Sequence, residues 1–340
     1  MNLDYLKSII NDVFLTDSPS GYFQNINKII SVKLEQMGYD YKINNKGNVE
    51  VFIKGLSSEK TVATAAHCDT LGLMVRSING DGTLRVTNVG GPIIPTLDGE
   101  YCKIITRSGK VYTGTILSTS PATHVYKDSS TKSRDIDNIV VRIDEVVKNR
   151  GDVEKLGIEN GNYVCYDTKT VLTDSGFLKS RFIDDKASVC IILSVLEHMS
   201  KNKIMPKYDT YVYFTNYEEV GHGGATVQKV DEFVAVDMGC IGLDLSGNEF
   251  SVSICPKDSS GPYDYELTNR LVELAKEANL NYAIDIFPYY SSDVSASLRA
   301  GLDCKGGLIG SGVDASHGME RTHLDGMFNT MKLLFMYLTK

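Results

Sequence analysis

Two of the six histidines stand in words suited to metal chemistry. His67 lies in AAHCDT, directly after the apolar run TVATAA. That places a His-x-Asp pair, His67 and Asp69, at the carboxyl end of a predicted buried strand, the edge at which open α/β sheets bind ligands. There an imidazole takes a metal through one nitrogen while a neighbouring carboxylate orients the ring. A hydrogen-bonded structural His-Asp pair is the competing reading of this word alone. Three acidic clusters occupy equivalent places. Asp184-Asp185 (RFIDDKAS) precedes an apolar helix, Glu218-Glu219 (YFTNYEEVGHGGA) stands at the end of the alternating run YDTYVYFT, and Asp237 (FVAVDMG) ends the next strand. Adjacent carboxylates at the end of an apolar strand are costly to bury unless a cation neutralises them. His317, in DASHGMERTH after the Gly-rich run KGGLIGSG, supplies a second imidazole, with His323 as the alternative ligand.

Imidazole plus carboxylate is a donor set for zinc, cobalt or manganese. With one carboxylate shared between two ions it makes a two-metal site, the arrangement that activates a water for hydrolysis. In a Glu-Glu pair one carboxylate ligates easily and the other is left to act as general base. The residue types do not choose Asp184 over Asp185, or Glu219 over Glu218. Other chemistries lack their words: no H-E-x-x-H and no G-x-S-x-G occurs. The string Gly310-Ser-Gly312-Val-Asp-Ala315 nominally fits a dinucleotide fingerprint, but the SHGMERTH that follows is too polar for a helix packed on a sheet. Seven scattered cysteines form no C-x-x-C pair, which argues against a thiolate zinc knuckle and for reduced thiols in a cytosolic protein.

The elements that must position these residues belong to a chain of 340 residues, long enough for two domains. At 42% hydrophobic and 23% charged it reads as globular. A net charge of −8 without a basic run lacks the footprint of a nucleic-acid binder. The amino terminus MNLDYLKSIINDVF lacks the basic-then-apolar order of a signal peptide. The longest apolar stretch, residues 189–196, falls short of the roughly 20 residues a bilayer span requires. A cytoplasmic protein without membrane contact is expected. Helical spacing covers residues 3–14, 24–37, 186–199, 265–278 and 324–338, and strand patterns cover 49–53, 61–66, 208–215 and 233–238. From about 71 to 171 the text changes to short β-rich runs broken by turns such as Asn79-Gly80 and Asp81-Gly82. The texture predicts an α/β domain (1–71 and 173–340) interrupted by a β-rich domain (72–172). Tyr289, Tyr290 and Asp293 (FPYYSSDVSA) read as a polar loop, either lining a substrate pocket or packed at a domain edge.

Taken in order, AAHCDTLGLMV, FIDDKAS, EEVGHGGA, VDMG and ASHGMERTH, with SPSGYFQN and NNKGNVEVFIKG near the amino terminus, resemble the dinuclear metalloaminopeptidases of the glutamyl-aminopeptidase and tetrahedral-aminopeptidase (TET) family. The resemblance spans nearly the whole chain. It implies a mostly parallel-sheet, zinc-peptidase-like α/β catalytic domain with an inserted β-rich dimerisation domain. It also implies two divalent ions per subunit, zinc being expected and cobalt or manganese the alternatives. On that match His67 and Asp237 are terminal ligands of different sites and Asp184 bridges. Glu219 and His317 complete the set, Glu218 is the general base, and Asp69 stands behind His67. The implied function is hydrolysis of amino-terminal residues from peptides by a metal-activated water, in a homo-oligomer built from dimers, as in the family's dodecamers. A two-metal deacylase of acylated amino acids and a catalytically silent oligomeric scaffold are the alternatives. The chain departs from the family at Lys186, commonly an arginine, and at Val-Gly-His-Gly-Gly, where Val-Gly-Leu-Arg-Gly is frequent. It also has His-Gly-Met-Glu in place of the commoner His-Ser-Pro-x-Glu. His124 and His222 are left unassigned, and His198 reads as structural.

Overall fold

A computed structural model describes residues 1 and 3–340. The chain divides into two compact units, Met1–Asp69 with Lys169–Lys340, and Thr70–Thr168. The changeovers fall slightly before the 72 and 172 expected from texture. The reason at the second is specific: Val171–Leu172 pairs with Phe177–Ser180, which pairs in turn with Glu320–His323 of the first unit.

The first unit is built on an eight-stranded sheet. Its order is Tyr41–Ile43, Val49–Ile53, Tyr208–Thr215, Ser57–His67, Glu232–Cys240, Lys305–Val313, Val252–Ile254, Tyr282–Ile284. The four central strands run parallel, and antiparallel strands extend both sides. The central strands alternate between two cores, as a two-sided buried sheet requires. Val62, Ala66, Val212, Phe214, Val234 and Val236 face one core. There they meet the helices Asp4–Phe14, Gln24–Met37, Ile183–Asn202 and Leu324–Thr339. Ala63, Ala65, Tyr213, Phe233 and Ala235 face the other core with Tyr263, Phe287 and Val294. Register then sets the chemistry: Thr215 stands beside His67, and Asp237 beside Gly310. A Cβ at Gly310 would lie 1.6 Å from the Asp237 carbonyl oxygen, so the glycines of KGGLIGSG serve close strand approach. The G-x-G string is thus pleated strand, not a dinucleotide loop.

The second unit is a closed barrel of Gly72–Ile78, Leu84–Val89, Ile139–Ile143, Val111–Ser118, Tyr101–Ile105 and Tyr163–Tyr166, in that order. The Asn79-Gly80-Asp81-Gly82 turn joins the first two strands, with the Asn79 N–H donating to Thr83. Its one α-helix among the described residues, Arg150–Lys155, is capped by the Asn149 side chain.

Candidate metal centre and active site

His67 is the last residue of its strand and is buried. Its Nδ1 lies 2.9 Å from the Asp69 carbonyl oxygen and donates to it, which leaves Nε2 free to bind, 3.0 Å from Asp184 Oδ1. The Asp69 carboxylate, expected behind His67, has Oδ1 3.6 Å from Nδ1 and also does other work. Its Oδ1 accepts the Glu218 N–H at 3.1 Å, and its Oδ2 accepts the Glu219 N–H at 3.3 Å and the Ser20 hydroxyl at 2.5 Å. The backbone carbonyl orients the ring, and the carboxylate braces the turn that carries both glutamates.

That turn is a difference from the sequence reading. Glu218 and Glu219 do not end the strand; they open a short 3-10 turn, Glu218–Val220, after Asn216 and Tyr217. Tyr217 takes a left-handed φ of 70°, which swings the chain back towards the sheet edge. Glu218 Oε2 lies 3.7 Å from His67 Nε2, and Glu219 Oε2 lies 3.6 Å from His317 Nε2. Asp237 likewise sits within its strand, not at the end, with Oδ1 accepting the Met238 N–H at 2.6 Å.

The neighbouring aspartates separate in space. Asp184 stands between the two imidazoles, its Oδ2 3.5 Å from His317 Nε2. Asp185 Oδ2 instead accepts the His67 backbone N–H at 3.2 Å. Two groups, His67 with Asp184 and Glu219, and His67 with Asp185 and Asp237, each present ligand atoms within 4.8 Å of one another. His323 lies apart from these contacts. Its Nδ1 accepts the Asp325 N–H and caps the last helix, Nε2 lies 2.8 Å from the Ser175 carbonyl, and its ring packs on Phe177 and Phe250. His222 stacks on Tyr217 at 5.0 Å with Lys46 Nζ 2.6 Å from its Nδ1. His124 is exposed in the barrel unit, and His198 packs against Phe335.

Two further residues hold this arrangement. Glu320 accepts the Asp184 N–H at 3.1 Å and the His317 N–H at 2.8 Å, fixing two elements distant in sequence. Its signal was the glutamate of the His-Gly-Met-Glu word. Asp293, expected in a polar loop, is the first residue of the helix Asp293–Arg299, which a Ser292–Ser295 capping box starts. Its Oδ2 accepts the Thr215 hydroxyl, and Gly223 packs so closely that a Cβ there would be 2.4 Å from Oδ1.

The electrostatics fit a cation. Burial pushes the Asp237 carboxyl up to about 7, that of Asp293 to about 6 and that of Glu320 to about 8. Burial likewise raises Asp185, with Asp237 adding to the effect, and it raises Glu218 and Glu219. Asp184 moves the opposite way, because hydrogen bonds from His317 and His67 outweigh its burial. Buried carboxylate oxygens of Asp185 (Oδ1), Glu219 (Oε1) and Asp293 (Oδ1) have no hydrogen-bond partner. Unpaired buried oxygens are costly, and divalent cations would satisfy those that face the cluster. The donor set of imidazole and carboxylate suits such ions.

The M42 glutamyl aminopeptidase family matches residues 47–333. YhfE of Bacillus subtilis, which carries a provisional aminopeptidase name, is 42% identical over 332 residues, 97% of this chain and 96% of the relative. A TET aminopeptidase from a marine sediment Thaumarchaeota archaeon shares the fold with a TM-score of 0.90 at 19% identity, over 100% of this chain and 97% of that one. The TET1 peptidase of Pyrococcus horikoshii, which can assemble into a tetrahedron or a large octahedral shell, gives 0.86 at 20% identity, over 98% and 99%. With a match across most of its length and a relative at this identity, the chain belongs to the M42 glutamyl aminopeptidase family of metallo-aminopeptidases.

Proposed function

We propose that the protein removes amino-terminal residues from peptides with two divalent ions, zinc by preference, held by His67, Asp184, Glu219, Asp237 and His317. One observation carries the reading: Asp184 sits between the two imidazoles, 3.0 Å from His67 Nε2 and 3.5 Å from His317 Nε2, as a shared ligand must. When bound, the ions supply Lewis-acid polarisation of the scissile carbonyl and acidify a water. Asp237 would join His67 at one ion, which departs from the sequence expectation that the two serve different sites, because their ligand atoms lie within 4.8 Å of one another; Glu219 would join His317 at the other. Asp185 is assigned to bracing through Oδ2, which accepts the His67 backbone N–H, while its Oδ1 is unpartnered and the residue stands in the group with His67 and Asp237. Glu218 takes the proton of the attacking water and passes it to the leaving amine, a transfer its position beside His67 Nε2 supports. Asp69 holds Glu218 in place through the backbone.

The barrel unit is assigned to dimerisation, and the working form is a homo-oligomer. None of the seven cysteines is in a disulfide, which supports a reducing, cytoplasmic setting. No helix among the described residues is long and apolar enough to cross a membrane. The test is hydrolysis of an amino-acid anilide panel by metal-reconstituted protein, each substrate offered free and N-acetylated, with elemental analysis of the same sample. An aminopeptidase holds two ions per chain and loses activity on the acetylated set. Preference for the acetylated set would make the protein a deacylase.

A further inference from the structure

Tyr290 carries a hydroxyl that the preceding mechanism does not use. The phenol Oη is buried and faces the Asp237 carboxylate, in a geometry short of a full hydrogen bond. It lies beside the Asp237 carboxylate, in the field of Asp184 and Glu218. Buried tyrosine hydroxyls ordinarily find a partner, so one left over at a reaction centre asks for a ligand. The residue is also held firmly. Its carbonyl accepts both the Ser259 N–H at 3.0 Å and the Ser259 hydroxyl at 2.5 Å, and Phe287 packs edge-on against its ring at 5.4 Å. Its neighbour Tyr289 is 99% exposed, so the chain places one tyrosine outside and turns the other inward.

Three other hydroxyls at the cluster are committed. Ser20 donates to Asp69, Thr215 to Asp293 and Ser188 to the Asp237 carbonyl. The carboxylates accept and, when ionised, cannot donate. A peptide carbonyl under attack gathers negative charge on its oxygen and is stabilised by donors fixed in advance. We propose that Tyr290 is a catalytic residue whose Oη–H donates a hydrogen bond to the scissile carbonyl oxygen as that charge develops. The inference rests on the two-metal aminopeptidase reading, since Asp237 and Asp184 must be occupied as ligands for the phenol to be left to the substrate. It gives a chemical role to a tyrosine that the sequence placed only in a polar loop, at a substrate pocket or a domain edge.

Tyr290→Phe removes the hydroxyl and keeps the ring. Loss of one such donor lowers kcat by about 10²-fold or more, with KM held within about twofold. The second readout is calorimetric. The affinity of the metal-loaded variant for a tetrahedral aminoalkylphosphonate should fall by a comparable factor, while its affinity for the free product amino acid stays at the wild-type value. Metal content should also stay at the wild-type value, and Tyr289→Phe should behave as wild type. An unchanged kcat overturns the proposal. So does loss of metal in Tyr290→Phe, which would make the tyrosine a support for Asp237, and so does an equal loss of affinity for both ligands. A wild-type protein that binds no metal or leaves free-amine substrates intact would refute the underlying reading instead.

Discussion

Replacing Gly223 with alanine tests whether the turn carrying Glu218 is held as rigidly as its contacts imply. A Cβ on Gly223 would lie 2.4 Å from Asp293 Oδ1, 2.9 Å from Glu218 N and 3.1 Å from Glu218 Cα. A comfortable carbon–oxygen contact begins near roughly 3.3 Å, so about 0.9 Å must be found by moving one side. Asp293 resists, because it is buried and accepts the Thr215 hydroxyl from the strand beside His67. The Glu218 backbone is tied by its N–H to Asp69 Oδ1 at 3.1 Å and by its carbonyl to the Gly221 N–H at 2.7 Å, within a half-buried turn that is the weaker restraint. The displacement therefore falls on Glu218. A misplacement of about 1 Å in a catalytic group costs roughly 10²-fold in rate. Overpacking costs a further ~1–3 kcal/mol of stability, read as a fall in Tm of at least about 2 °C. The assay is kcat on a free-amine anilide together with a thermal melt. Gly242→Ala serves as control, since no heavy atom lies within 4 Å of its added Cβ. Wild-type kcat and Tm in Gly223→Ala would refute the claim that Asp293 and Gly223 clamp this turn.

The two late histidines should separate cleanly. His317→Ala should lower metal content, whereas His323→Ala should cost about 1 kcal/mol or more through the lost helix cap and its packing on Phe177 and Phe250, yet keep the full metal complement. Metal loss in His323→Ala would reassign the ligand. The metal-free protein should lose stability as pH rises from about 4 to 8, most steeply below about 6. Asp293, Asp237 and Glu320 hold protons in the folded state up to about 6, 7 and 8 respectively, while the unfolded chain has already released them. Adding zinc should restore the melt and release protons, measured by calorimetry in buffers of different ionisation heat. A metal-free Tm that is flat or rising over that range contradicts the assigned burial effects.

Much of this architecture is legible because the signals are local. Tyr208–Thr215 alternates strictly, and Tyr265–Glu277 follows one helical face behind the Asp264 cap, so both stand where their patterns place them. His67, Asp184, Glu219 and Asp237 draw notice because each interrupts or closes an apolar run. What escapes the sequence is direction. The left-handed turn at Tyr217 carries no glycine to mark it, so the glutamates read as a strand end. The helix Asp293–Arg299 is short and written as DVSASLR, which hides it among polar residues. Asp184 and Asp185 are chemically identical, and only the position between two imidazoles distinguishes them. Glu320 accepts the N–H of Asp184, and the Asp69 carboxylate those of Glu218 and Glu219, contacts between residues far apart in the chain that no local word records.

The division of labour between the adjacent glutamates is the centre of the mechanism, and one paired measurement tests it: metal content and peptide turnover in Glu218→Gln and Glu219→Gln. Glu219 Oε1 is buried without a partner and Oε2 faces His317, so Glu219→Gln should lower metal occupancy as well as rate. Glu218→Gln keeps the shape but cannot accept a proton. Both ions should stay while turnover falls by roughly 10²–10⁴-fold, the range ascribed to general acid–base help. Full turnover in metal-loaded Glu218→Gln would contradict the account, and metal loss confined to Glu218→Gln would show the two roles reversed.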